Sequence, residues 1–415
     1  MGFYKNTSTL TLSRIISLFT AFLISVISSR YLGAEGKGIF AIFSIGVFLF
    51  YQILSFSIPG SIIYLIQNGR FRIEDVIFTN FFLSVILPFL SIVIFYILKV
   101  LQFSNNTFDI IETYKYFWCI NVFVFFSYYF HMSIYYVEKK YNYLLLLENI
   151  PGAALVLLSI IFGHLIGVDA KIFIMLNCFA FLPSLIHLFF HNVFFLKKKS
   201  NYKFSFRYIK ELIRYGGKMT VGNILFFFIL RLNFIDLLKY HSLTEVGFYS
   251  ISFLAVAKVA NLLQPLQIIL FTETSGSLKK KNLQADTMRI IRVLLLLLVP
   301  VAILLFFSAS FFIPIIFGKN FTPSIHPFQI HLFSLIFLNL WVTLWAALSA
   351  RGKAGLACLV QMILLGINYF SNRKLIPLYG TQGAAWSANI THASGFIIFF
   401  VIYYLDKLTL LKNNK

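Results

Sequence analysis

About twelve long apolar stretches, each ended by a short basic loop, decide what this chain can fold into. Each runs for roughly 20 residues or more, the length a helix needs to cross the hydrocarbon core of a bilayer. With 59% hydrophobic and only 12% charged residues, no single water-soluble core could take up so much apolar surface. The pattern predicts an all-α polytopic integral membrane protein. The spans fall near 8–30, 39–67, 76–99, 116–137, 149–167, 171–196, 216–239, 246–272, 289–317, 325–349, 354–372 and 379–405. The first is too long for a cleaved signal peptide and lacks a small-residue cleavage site.

Basic residues set the orientation. With the amino terminus placed in the cytoplasm, that end, the even-numbered loops and the carboxyl tail hold most of the 35 Lys and Arg residues. The opposite loops hold few, and only Arg231 and Lys258 fall inside spans. This asymmetry is the positive-inside signature and predicts two cytoplasmic termini. The net charge of +21 thus reports topology and contact with anionic lipid. It does not describe a nucleic-acid face, because the basic residues hug membrane ends. Cys119, Cys178 and Cys358 each lie in an apolar span and read as packing thiols, with no Cys/His spacing for a metal.

The charged connection from Lys197 to Lys218 separates six spans from six. It predicts an amino-terminal six-helix bundle over 1–196, a basic cytoplasmic linker over 197–215 and a second bundle over 216–415. Within the linker, Phe204, Tyr208, Leu212 and Tyr215 form an apolar stripe expected to lie against lipid. Gly38-Ile-Phe-Ala-Ile and Gly247-Phe-Tyr-Ser-Ile open corresponding spans of the two halves, a short echo of the kind duplication leaves. The outer loops are short, the longest running over about Val100–Lys115, and no soluble domain of catalytic size hangs from either face.

Arg231 and Lys258 are the most telling positions. Arg231 lies about fourteen residues into the seventh span, roughly 21 Å at the helical rise, and Lys258 lies near the middle of the eighth. A charge at that depth costs several kcal/mol unless it meets water, a partner or a polar cargo. Three readings are open: a cavity-lining cation, an ion pair with Asp236 or Glu273, or snorkelling to an interface. Asp236 stands five residues from Arg231, about 140° round the helix, which is poor geometry for an intrahelical pair. Lys258 heads a polar set with Asn261 and Gln264 on one helix face, followed by Pro265. Pro59-Gly60, Pro300 and Pro314 also interrupt spans, as in hinges beside transporter cavities or as membrane helices ordinarily tolerate. Arg14 and Arg30 bracket the first span and read first as interfacial anchors. Gln52, Asn121, Asn368 and Asn389 read first as glue between helices. His187 and His191, four apart, read as an anchoring pair without a carboxylate at helical spacing. No P-loop, HExxH or G-x-S-x-G occurs. The residues point to a transporter with a positive cavity, an anionic cargo and no cofactor.

Several segments then narrow the class. RYLGAEGKGIFAIFS (Arg30–Ser44), FIDLLKYHSLTEVGFYSISFLA (Phe234–Ala255), IIFGKNFTPSIHPFQI (Ile315–Ile330), ARGK (Ala350–Lys353) and LIPLYGTQGAAWSANIT (Leu375–Thr391) resemble, in order and spacing, the polysaccharide biosynthesis flippase family, the Wzx-type exporters. The resemblance covers nearly the whole chain. It implies two six-helix bundles around a cationic central cavity, working by alternating access. The cargo it implies is a polyprenyl-pyrophosphate-linked oligosaccharide repeat of O-antigen or capsule type, moved from the inner to the outer leaflet of the bacterial cytoplasmic membrane. Implied partners are that lipid-linked oligosaccharide, membrane lipids and the polysaccharide polymerase machinery.

On this resemblance Arg231 and Lys258 would bind pyrophosphate through charge-assisted hydrogen bonds. Asn261, Gln264 and Asn389 would meet the glycan, with Arg14 and Arg30 as secondary cations. Asp236 would either couple to an ion gradient or hold structure. Drug-exporting relatives place an acid in the first span, where this chain has only Arg14; peptidoglycan-precursor flippases have two further spans. A multidrug or other lipid exporter of the same superfamily is the next reading. A membrane glycan polymerase or ligase follows, disfavoured by the short outer loops.

Overall fold

A computed structural model describes residues 2–67, 69–100, 106–138, 140–197, 203–254, 257–258, 283–350 and 353–412. Among them no strand occurs, and the chain is an all-α polytopic membrane protein. The helices are α1 (Gly2–Leu54), α2 (Ile58–Gln67), α3 (Ile73–Val100), α4 (Asn106–Thr113), α5 (Lys115–Val137), α6 (Tyr141–Leu165), α7 (Ala170–Ala180), α8 (Leu182–Lys197), α9 (Phe206–Tyr240) and α10 (Leu243–Leu254). After these come α11 (Leu283–Phe317), a 3-10 turn (Lys319–Ser324), α12 (Ile325–Ala350) and α13 (Ala354–Lys412).

Nine described stretches are long and apolar enough to cross a membrane. Those in α1 and α13 are 40 and 52 residues long, about twice what one crossing needs. Each is two crossings joined at a glycine: Gly33 sits at φ 65° and Gly380 at φ 53°, where a side chain would be strained. With α10 starting another crossing, the total comes to the roughly twelve that the apolar stretches predict. On α11, Phe307 and Phe311 are 79% and 74% exposed, as lipid-facing side chains should be.

The first turn-back is held by a lysine that sequence reasoning leaves in an outer loop. Lys37 is buried and donates to Ser25 O at 2.8 Å, Ser25 Oγ at 2.9 Å and Ser28 Oγ at 3.1 Å. All three ammonium hydrogens are therefore matched, and the two limbs of α1 are hooked together. Interrupted helices follow Pro59 but not the prolines of α11. The helix α11 runs unbroken through Pro300 and Pro314, because a membrane helix can lose one backbone bond and stay folded against its neighbours. The chain does break at Ser55–Ser57, just before Pro59, and Phe56 and Ser57 take φ values of 46° and 48°. Pro265 lies outside the described residues.

The contacts divide the chain into two compact units, Met1–Ile224 and Leu225–Lys415. The first is built on aromatic packing: Trp118 of α5 meets Phe50 of α1 and Phe95 of α3, each at 5.0 Å between ring centroids. The connection between α3 and α5 is not bare loop, since it contains α4, whose Ile110 and Ile111 are buried; Lys99 and Glu112 form an ion pair across it.

The amphipathic stripe behaves differently from expectation. Its helix is simply the start of α9, and Tyr208 and Leu212 are 0% and 1% exposed within the core of the first unit. Tyr208 Oη donates to Asn80 Oδ1 at 3.1 Å, and Tyr215 stacks on Tyr64 at 4.1 Å. An apolar stripe fits a groove between helices as readily as it fits lipid, and here the groove wins.

Candidate functional site

The second unit carries a deep cation held by aromatic faces. Arg231 stands half-buried in α9 within the candidate span Met219–Tyr240. Its guanidinium carbon lies 4.7 Å from the ring centroid of Phe253 on α10 and 5.6 Å from that of Phe234. Tyr249 packs on Phe234 at 4.8 Å, and its phenol lies within the field of the Arg231 charge. Helical spacing produces this cluster: Arg231 and Phe234 are three apart on α9, and Tyr249 and Phe253 four apart on α10. His331 of α12 stacks on Tyr249 at 5.3 Å and closes it from behind.

A ring face attracts the guanidinium without occupying its N–H donors. No carboxylate pairs with Arg231 among the described residues. Lys258, also half-buried, stands five residues beyond Phe253, the ring that Arg231 faces. Each cation inside a span costs roughly 2.5–3.5 kcal/mol on insertion scales. An anionic group that neutralised either cation would offset that cost. Asn261 and Gln264 lie outside the described residues, as does Glu273, one of the two carboxylates proposed as a partner.

Asp236, the other, points away. It is buried and accepts from Asn372 Nδ2 at 2.8 Å, in the contact between α9 and α13. A polar ladder continues from there. Asn368 Nδ2 donates to Asn233 Oδ1 at 3.0 Å and to Thr391 Oγ1 at 3.2 Å, and Asn233 Nδ2 donates to Ala384 O at 2.7 Å. All are buried, and Asn372 Oδ1 has no hydrogen-bond partner. Sequence reading takes Asn368 as isolated glue and overlooks Asn233, Asn372 and Thr391. The available signal was spacing: Asn233/Asp236, Asn368/Asn372 and Ser387/Thr391 each recur at helical intervals.

The secondary candidates divide between the units. Arg14 lies on the first limb of α1, with its side chain outside the description, and Arg30 is exposed near the Gly33 bend. Asn389 is buried with both ends of its amide engaged: Nδ2 donates to Ile330 O at 2.8 Å and Oδ1 accepts from Ser334 Oγ at 2.5 Å. His191 does have an acid nearby, because folding brings Glu138, the residue that caps the end of α5, to 3.5 Å. No group of three His, Cys, Asp or Glu side chains suited to a metal ion occurs among the described residues. A further missed residue is Glu148, which sequence reading leaves just outside the fifth span and which the structure places inside the candidate span Asn142–Leu165.

The profile of a family described as polysaccharide biosynthesis protein matches residues 27–326. No curated protein matches the sequence. Solved structures share the fold at low identity. A multidrug resistance MATE family transporter of the MOP superfamily, in an inward-facing conformation, is 14% identical with a TM-score of 0.75, over 99% of this chain and 100% of that one. The lipid II flippase MurJ, in an inward closed conformation, is 13% identical with a TM-score of 0.69, over 96% and 87%. A MOP superfamily transporter from Pyrococcus furiosus, described as having a binding pocket of reverse polarity, is 13% identical with a TM-score of 0.64, over 98% and 96%.

Proposed function

Since the chain belongs to the family of polysaccharide biosynthesis proteins, we propose that it moves a polyprenyl-pyrophosphate-linked oligosaccharide from the inner to the outer leaflet of the cytoplasmic membrane. The observation that carries this reading is Arg231, half-buried within a span against the rings of Phe253 and Phe234 with no carboxylate on it among the described residues, and the half-buried Lys258 that follows five residues after Phe253. Pyrophosphate offers several oxygens to such a pair, and hydrogen bonds between ionised partners are about twice as strong as neutral ones. The glycan is carried unaltered, and the polyprenyl tail remains in lipid. A flippase fold related to that of the lipid II flippase and a family concerned with polysaccharide both support a lipid-linked sugar as cargo. Multidrug export, named for the MATE relatives, is the reading to set against it.

Deleting the gene in its native host should leave complete repeat units accumulated on the lipid carrier and remove the surface polymer. Extraction of lipid-linked glycans beside a surface-polymer assay checks this. Normal polymer with altered drug susceptibility would move the chain to multidrug export.

Asp236 supports a coupling role. A buried carboxylate beside the unpartnered Asn372 Oδ1 is electron-rich, and a proton or cation from a gradient would neutralise it. Asp236→Asn tests this, because asparagine preserves the shape and can still accept from Asn372. Export should fall by about tenfold or more, the equivalent of some 1.4 kcal/mol, at unchanged protein level. Normal export would mean that Asp236 only holds α9 to α13.

A further inference from the structure

The first unit contains a pocket of about 380 Å3 lined by Ser17 of α1, Tyr128, Tyr129, Met132, Ser133 and Tyr136 of α5, and Glu148 of α6. Its volume falls within the roughly 300–1,000 Å3 of small-ligand sites. Glu148 is the one acid among the described lining residues, and a carboxylate within an apolar span marks function by default. Both of its oxygens accept from neutral hydroxyls: Oε2 from Ser13 Oγ at 2.7 Å and Oε1 from Tyr136 Oη at 2.5 Å. Behind it, Asn149 Nδ2 donates to Ser13 Oγ at 3.1 Å and Asn149 Oδ1 accepts from Ser17 Oγ at 2.9 Å. Asn149 thereby fixes Ser17, which lines the pocket, and Ser13, which donates to Glu148. Tyr128 is anchored by its own bond to Leu147 O at 2.8 Å, so its ring forms a stationary wall.

We propose that this pocket seats one sugar residue of the lipid-linked glycan, with Glu148 accepting from ring hydroxyls and the tyrosines packing against the sugar's C–H face. The inference rests on the flippase reading and deepens it, by assigning the neutral headgroup to a site of its own. The chemistry favours a sugar over a cation. A carboxylate with one hydroxyl donor on each oxygen keeps further lone pairs for a sugar's hydroxyls, and hydrogen bonds to its charge are the strong kind. The aromatic walls match the apolar face of a pyranose, while Ser17 and Ser133, whose protons go to Asn149 Oδ1 and Phe130 O, add oxygens that can accept from sugar hydroxyls. A bare cation would find one charged ligand among the described lining residues.

The test uses the full-length protein in nanodiscs and, as probe, the soluble oligosaccharide released by mild acid from the lipid-linked repeat of the native host. Carbodiimide labelling of Glu148, read by peptide mass spectrometry, should slow by about tenfold when the probe saturates, the change expected from a complex near 1.4 kcal/mol more favourable than the open site. Tetraphenylphosphonium should not slow it. In the deletion strain, Glu148→Gln and Tyr136→Phe should each reduce export of the complete repeat, while a carrier bearing only its first sugar is exported as by wild type. Unslowed labelling in the presence of the oligosaccharide, in a host whose deletion strain accumulates lipid-linked repeats, overturns the sugar pocket and leaves the flippase reading intact. Protection by tetraphenylphosphonium instead would make the pocket a cation site. A deletion strain without accumulated lipid-linked glycan would remove the flippase reading, and this inference with it.

Discussion

Arg231→Ala is expected to cut export of the lipid-linked repeat by about a hundredfold while the protein still inserts at its normal level. A charge-assisted hydrogen bond to a phosphate is worth roughly 1.5–3 kcal/mol, and about 2.8 kcal/mol is a hundredfold in affinity. The alanine variant also leaves Lys258 to neutralise the anion alone. Exchange between the two cations should be unequal. Arg231 lies over the rings of Phe253 and Phe234, and a lysine there would lose both the planar stacking and the bidentate fork. Arg231→Lys should therefore retain only part of the activity, whereas Lys258→Arg, with no such ring contact to lose among the described residues, should be tolerated. Lys258→Ala should resemble Arg231→Ala. Surface polymer measured in the complemented deletion strain, with membrane levels by immunoblot, reads all four. Full export by both alanine variants would remove the cationic site.

The second large effect concerns folding. Gly216 lies where α9 crosses the break between α1 and α2, and a Cβ there would fall 1.9 Å from Phe56 O and 2.8 Å from Ser61 Oγ. The obstacle is backbone, and it has nowhere to move. Phe56 and Ser57 already occupy positive φ, a region unfavourable to residues with side chains. Ser57 is further tied to α9, accepting from Asn223 Nδ2 at 2.9 Å and lying 3.3 Å from Thr220 Oγ1. Overpacking ordinarily costs about 1–3 kcal/mol; a clash with an immobile carbonyl should exceed that range. Gly216→Ala should abolish the monodisperse peak of the detergent-extracted protein. Gly217→Ala is the control, since nothing lies within 4 Å of its Cβ, and it should be neutral or slightly stabilising. Equal yield and equal thermal stability of both variants would refute the account.

These two sites show where sequence reasoning succeeds and where it stops. Arg231 stands out in the sequence because an apolar span makes a charge conspicuous whatever its neighbours are. The ring faces beneath it are not legible: Phe253 is one of 51 phenylalanines, and only the packing of α10 on α9 selects it. Gly216 has the opposite character. The Gly-Gly pair reads as one permissive spot, yet the two positions differ completely in what a methyl group would meet. Glu148 was misplaced because span boundaries drawn from hydropathy stop at the first charge, whereas the helix continues through it. The prolines are a divided signal. Pro59 stands in the first turn of α2, directly after the break at Ser55–Ser57, whereas α11 runs through Pro300 and Pro314 unbroken.

What the sequence determined by itself follows from the solvent. A bilayer cannot hydrogen-bond the backbone, so every crossing must be a helix of sufficient apolar length, and the distribution of Lys and Arg predicts which way each runs. Helical class and the approximate number of crossings therefore need no tertiary information. The tertiary structure alone decided which polar side chains meet. Asp236 with Asn372, Asn368 with Asn233 and Thr391, and Glu148 with Ser13 and Tyr136 join residues 12 to 136 positions apart. Such bonds depend on the rotation and axial position of each helix against its neighbours. Those are set by close packing summed over many side chains, a property that no single span carries.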